Sequence, residues 1–239
     1  MLEVIEMEDK LNKAAAQPDA DHREIERMFH QVAREYEGII ARNPQHLESR
    51  LLYGKLLSRF GDREGARMQF LSAAQIDSNL AVIHQQLSKY YAEDEDYTRA
   101  LAYALNAVRI EPETAAYHYG VGEILAAFRE NFINDGVFTS QQLDENMMKS
   151  FNTARSLEPD SLPLQFRYGE AFYDTTDPDW EAALAHWQEI ASRIDLSPVQ
   201  ADAVRVHQAR CLSELGRTDE ANALLQQVQS KALMPAPPQ

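Results

Sequence analysis

Cysteine occurs once in 239 residues, at Cys211, so neither an intrachain disulfide nor a cysteine-based zinc site can form. Glycine and proline are also scarce, at 9 and 10, too few for the tight turns of an all-β domain. Positive charge is short: 23 Lys and Arg stand against 38 Asp and Glu, a formal net charge of -15. Polyanion binding depends on basic side chains that neutralise phosphates, so this balance argues against a nucleic-acid partner and against docking on an anionic membrane. No apolar run approaches the length of a membrane span, and no membrane insertion is expected. The first twenty residues have neither the basic start nor the apolar stretch of a signal peptide. With no disulfide, the expected compartment is the cytoplasm.

Ala, Leu, Gln, Glu and Arg, all good helix formers, dominate instead, and they recur in register. Small residues Gly54, Ser88, Gly122, Gly169 and Ala209 are spaced by 34, 34, 47 and 40. Three residues after each comes a large apolar one: Leu57, Tyr91, Leu125, Phe172 and Leu212. A second set follows in each unit, with Ala66, Ala100, Met147, Ala183 and Ala221, then Phe70, Ala104, Phe151, Trp187 and Leu225 four residues on. Units close on Asn43-Pro44, Asp77-Ser78, Glu111-Pro112 and Glu158-Pro159. The physical sense is direct. Small residues let two helices approach, large ones fill the gap, and proline cannot continue the second helix.

This pattern resembles that of the tetratricopeptide repeat, stated most clearly by Tyr53-Gly54, Leu57, Gly61-Asp62, Ala66, Phe70 and Ala73. The resemblance covers about residues 22–230. It implies an all-α, right-handed solenoid of antiparallel helix pairs, with four to five repeats after a degenerate N-terminal unit. The expected divisions are 1–46 for that unit and 47–233 for the array, cut at 47–80, 81–114, 115–161, 162–201 and 202–233, with a Pro-rich tail at 234–239. In the opening unit Ile25, Met28, Phe29, Val32, Tyr36 and Ile39 form a helical stripe, with Asp19 and Asp21 as candidate N-caps and a weaker helix over 2–16.

The third unit departs from the pattern. Gly122 to Met147 spans 25 residues where Gly54 to Ala66 spans 12. Leu125, Phe128 and Phe132 keep helical spacing, so the first helix is expected to continue to Asn134-Asp135-Gly136. Thr139 and Gln142 form a candidate capping box for the next helix. Two lengthened helices follow, each gaining about six residues, roughly 9 Å. The tip from Phe132 to Phe138 is read either as a partner contact or as packing back onto the longer helices. At the far end, Asn222, Gln226, Gln227, Gln229 and Ser230 read as a polar cap, the alternative being self-association through the C-terminal repeat.

Chemistry is not evident. His84 and His118 lie 34 residues apart, so they occupy equivalent places in successive units, too distant to share a metal. His207 stands four residues before Cys211, but the thiol reads as a buried structural residue. Phosphate loops and nucleophile elbows are absent. No catalytic residue, metal or cofactor is expected.

In the tetratricopeptide family the first helix of each unit lines the concave face. Carried over, this resemblance implies a groove that is basic at Lys55, Arg59 and Lys89, aromatic at Tyr119, Phe166 and Tyr173, and acidic at Glu123, Glu170 and Asp174. Such a surface suits an extended peptide or a helix of a partner protein. One subclass binds chaperone C-terminal carboxylates through Lys and Asn. The matching positions here are Leu51, Lys55, Gln86, Ala116 and Gly120, a set that does not support that ligand. The expected role is a non-catalytic interaction scaffold or assembly adaptor. The alternative is an accessory domain serving a larger enzyme or envelope-assembly complex.

Overall fold

A computed structural model describes residues 1–193 and 195–230; the tail expected at 234–239 lies outside them. Helix accounts for 77% of the chain and no strand occurs among the described residues, so every layer is helix on helix. In chain order the helices are α1 (Leu2–Ala15), α2 (His22–Arg42), α3 (Leu47–Arg59), α4 (Arg63–Ile76), α5 (Ala81–Glu93), α6 (Tyr97–Ile110) and α7 (Ala115–Ala127). Then follow α8 (Arg129–Asn134), α9 (Ser140–Leu157), α10 (Leu162–Ala171), α11 (Trp180–Ala191), α12 (Pro198–Glu214) and α13 (Thr218–Leu225). They gather into two compact units, Met1–Pro112 and Glu113–Gln239.

Turn chemistry explains the pairing. Asp62 N–H donates to Leu57 C=O at 2.9 Å, Asp96 to Tyr91 at 2.8 Å and Arg217 to Leu212 at 2.8 Å. Each is a helix end closed by one residue in the left-handed region: Gly61 at φ 84°, Glu95 at 59° and Gly216 at 74°. The residue after the first two, Asp62 or Asp96, then caps the next helix by accepting from Gly65 or Arg99 N–H. So short a reversal turns the chain back on itself, giving antiparallel neighbours. Glu95 holds this conformation with a side chain that disfavours it. Glu95→Gly is expected to raise the thermal stability of the first unit by up to about 1 kcal/mol, read as a higher melting temperature. An unchanged or lower transition would show that the turn carries no strain.

The paired rows meet as volume complements. A Cβ on Gly54 would lie 3.0 Å from the Phe70 ring, one on Gly122 2.6 Å from Phe151 and one on Gly169 2.4 Å from Trp187. In the α5–α6 pair both partners are small. Ser88 and Ala104 fill the two row positions, and the Ser88 hydroxyl donates to Ala100 C=O at 2.8 Å. Phe70, Phe151 and Trp187 are essentially fully buried, so these rings hold the interior of their helix pairs.

The third pair corrects one expectation. Its first helix does not continue: α7 ends at Ala127, and Phe128, at φ -109° and ψ 25°, separates it from α8. Ala127 is the register at which α3 and α5 also stop, at Arg59 and Glu93. The repeat's own helix length thus prevails over a local apolar spacing that would allow continuation. The same turn hydrogen bond reappears beyond α8, from Val137 N–H to Phe132 C=O at 2.9 Å, with Gly136 at φ 69°. The second helix is lengthened, and Thr139 and Gln142 form its capping box. At the tip Phe132 is buried edge-on against Phe138, ring centroids 5.7 Å apart, while Val137 is exposed. For Phe132, packing back is the observed outcome.

In the last pair, α12 opens on a capping box of Ser197 and Gln200. Asp21 is the cap of α2. The chain beyond α13 is tied down by Asp202, whose carboxylate accepts from Gln229 N–H at 2.9 Å and Ser230 N–H at 2.8 Å.

Candidate protein-binding faces

The residues expected to line a groove fall in both units, and each unit presents its own set. In the first, Lys55 on α3 and Lys89 on α5 occupy equivalent positions, and both are exposed. No carboxylate among the described residues pairs with either. Arg59 differs, since its guanidinium donates to the Asn12 side chain on α1, which engages it within the fold. Most neighbouring arginines are also occupied. Arg63 bridges Glu93 and Asp94, and Arg67 bridges Glu64 and Asp94.

In the second unit Tyr119 and Glu123 come from α7, Phe166 and Glu170 from α10. Tyr173 and Asp174 do not extend α10, which ends at Ala171; they lie on a 3-10 turn, Phe172–Asp174. The acidic set is not free. Arg167, which the repeat rows passed over, donates from Nε to Glu123 at 2.5 Å and from Nη1 to Asp174 at 3.0 Å, above the Phe151 ring at 4.3 Å. Two of the three acids are therefore neutralised from within. Lying seven residues before Asp174 and three before Glu170, Arg167 could have been found by reading charges along α10.

Glu170 is left without a cation of its own. Burial raises its pKa, Arg167 opposes this, and Asp174 and Glu123 add to the rise. Its carboxylate stands 3.9 Å from His207 Nε2 on α12. That imidazole is neutral at physiological pH, because burial, with Arg210 adding to it, lowers its pKa to about 4. The contact is therefore no salt bridge. His207 stacks on Trp187 with ring centroids 4.1 Å apart, and its Nδ1 lies 3.2 Å from the Tyr173 hydroxyl. Tyr173 is also stacked on Trp180, with the Arg210 guanidinium 4.0 Å above it. Phe166 meets Trp187 edge-on at 5.2 Å. Phe166 and Tyr173 are half-buried parts of this aromatic cluster.

Solved structures with this arrangement identify the fold. YrrB, described as a TPR protein with an unusual peptide-binding site, superposes with a TM-score of 0.66 at 16% identity, over 84% of this chain and 96% of that one. PilF of Pseudomonas aeruginosa gives 0.58 at 12% identity, over 94% and 91%, and the MamA protein 0.57 at 16%, over 81% and 96%. The fold is that of a tetratricopeptide-repeat protein. No family model and no curated protein matches the sequence.

Within this tetratricopeptide fold Cys211 is a packing residue. It is wholly buried, and burial raises its thiol pKa despite the Tyr173 hydroxyl 3.8 Å away. A protonated thiol beside a neutral imidazole that faces Tyr173 is not an activated nucleophile. Among the described residues, no three His, Cys, Asp or Glu side chains are grouped to hold a metal ion, and no helix is long and apolar enough to cross a membrane.

Proposed function

We propose that this chain is a non-catalytic adaptor that holds a peptide or helix of a partner protein against its first-helix faces. The observation that carries the reading is the pair Lys55 and Lys89: two exposed ammonium groups at equivalent repeat positions, unpaired in a strongly acidic chain where neighbouring arginines are bridged. Uncompensated charge in regular register meets carboxylates on a partner and sets its alignment. The second unit presents a set of its own, in which the half-buried aromatics Tyr119, Phe166 and Tyr173 supply apolar anchors and Glu170, the acid that Arg167 does not bridge, sets charge beside them. The peptide-binding site in the description of YrrB, on the same fold, supports the reading.

The test is charge reversal against a partner captured from the native cell and then titrated in purified form. Lys55→Glu with Lys89→Glu is expected to weaken binding tenfold or more, about 1.4 kcal/mol. The unfolding transition should move by less than about 0.5 kcal/mol, because both sites are exposed. Salt should shrink the difference. Arg109→Glu with Lys149→Glu, both exposed on second helices, is the matched control. Arg67 does not serve as a control, since its bridge from α4 to Asp94 would be lost. Loss of binding in the control but not in the lysine pair would move the working surface off the first helices.

A further inference from the structure

Two irregular segments of the sequence meet in the second unit. One is the insertion that adds α8 and lengthens α9. The other is the loop of Thr175 and Thr176 that precedes α11. They are joined by one carboxylate: Asp144 on α9 accepts from Arg129 on α8 and, at 2.9 Å, from Thr176 N–H, while Arg129 also donates to the Thr176 hydroxyl at 2.5 Å. Arg129 and Asp144 are both largely enclosed, so the junction is a fixed strut between the two segments.

Between them opens a cleft of about 600 Å³ with Met148 and the buried Phe172 among its walls. Glu145, Asp177 and Asp179 line it with exposed carboxylates, and among the described residues no Lys, Arg or His does so. Asp144 is neutralised by Arg129, and Asp179 caps α11 through Ala182 N–H, yet the lining remains net negative. These acids are not grouped to hold a metal ion. An anion would be repelled.

We propose that this cleft is a second docking surface, for a segment of a partner protein that places one apolar side chain against Met148 and Phe172 and flanks it with Lys or Arg. Charge complementarity selects this occupant. The apolar wall provides contact area, and the strut and the α9 capping box preform the walls, which lowers the ordering cost of binding. The proposal is independent of the first-helix reading, because none of these residues belongs to that face.

Random peptides displayed on phage and panned on the full chain would supply the probe, with recovered peptides synthesised, labelled and titrated by fluorescence anisotropy. A class with Lys or Arg next to an apolar residue is expected. It should lose tenfold or more in affinity on Glu145→Lys with Asp177→Lys, and a smaller factor on Glu145→Gln with Asp177→Asn. Both positions are exposed, so an unchanged melting transition should accompany the loss. Glu158→Lys with Asp160→Lys, exposed in the same unit, controls for general attraction to an acidic protein. The class should bind Lys55→Glu with Lys89→Glu undiminished, which separates failure of this proposal from failure of the first. The proposal is overturned if no recovered peptide responds to the cleft variants, if responders lack basic residues, or if the control pair weakens them equally.

Discussion

Gly122→Ser is expected to destabilise the second unit by about 1–3 kcal/mol, and Phe151→Ala by about 3–5 kcal/mol, yet the double variant should cost clearly less than their sum. The reason lies in the interior of the α7–α9 pair. A Cβ on Gly122 would sit 2.6 Å from the Phe151 ring, and that ring is buried, so it cannot swing away into solvent. Removing the ring alone leaves a cavity. Making both changes recreates the combination that the α5–α6 pair already uses, where Ser88 and Ala104 fill the two row positions and the Ser88 hydroxyl donates to a carbonyl across the gap. Residues in contact couple by about 0.5–3 kcal/mol, and here the coupling should be at least 1 kcal/mol in the relieving direction. Trp180 and Trp187 are the chain's two tryptophans and both belong to the second unit, so indole fluorescence in a urea titration reads that unit selectively. Additivity within about 0.5 kcal/mol would show that Gly122 is not a packing partner of Phe151.

That prediction could be framed from the amino-acid sequence, because both rows stand in register there. The helix pairs, their closing residues at Asn43, Asp77, Glu111 and Glu158, and the cap at Thr139 were legible for the same reason: each rests on a local rule satisfied by the residue in place. The break at Phe128 was not legible. Leu125, Phe128 and Phe132 have the same spacing in one continuous helix as in two helices separated by a single residue. Nor did the rows disclose that Arg167 holds Glu123 and Asp174, since they compare equivalent positions across repeats, whereas an ion pair joins unequal ones. The end of α10 at Ala171 carries no glycine or proline signal between Gly169 and Thr175, so Tyr173 and Asp174 were assigned to a helix that stops before them.

Acidification from pH 7.5 to 5 should cost the second unit about 2 kcal/mol of stability through His207 alone. The imidazole is stacked on Trp187, lies beside Phe166 and Tyr173, and faces Arg210, and its pKa is lowered to about 4 by burial first and the guanidinium second. In the unfolded chain it titrates near about 6.5. Between those values the unfolded state binds the proton and the folded state does not, so stability rises with pH. The contribution is fully present above the unfolded value, declines as pH falls below it, and levels off below the folded one. Other groups act in the same region with known signs. His186, lowered by burial, adds to the acid loss. Asp202, lowered by the Ser230 and Gln229 amides and Arg205, loses its stabilisation only at more acidic pH. Asp144 behaves likewise, since Arg129 and Thr176 outweigh a burial that alone would raise its pKa. Glu170, raised by burial, opposes them, because its folded form holds a proton at a pH where the unfolded form has released it. The decisive measurement is the difference in unfolding free energy between pH 7.5 and pH 5, followed by tryptophan fluorescence, in wild type and in His207→Gln. The variant is expected to be less stable at neutral pH, because it gives up the stacking on Trp187, but its pH dependence should be shallower by about 2 kcal/mol over that interval. Equal slopes in the two proteins would mean that His207 titrates in the fold as it does in the unfolded chain, so that acid charges its imidazole beside Glu170 instead of leaving it neutral within the aromatic cluster.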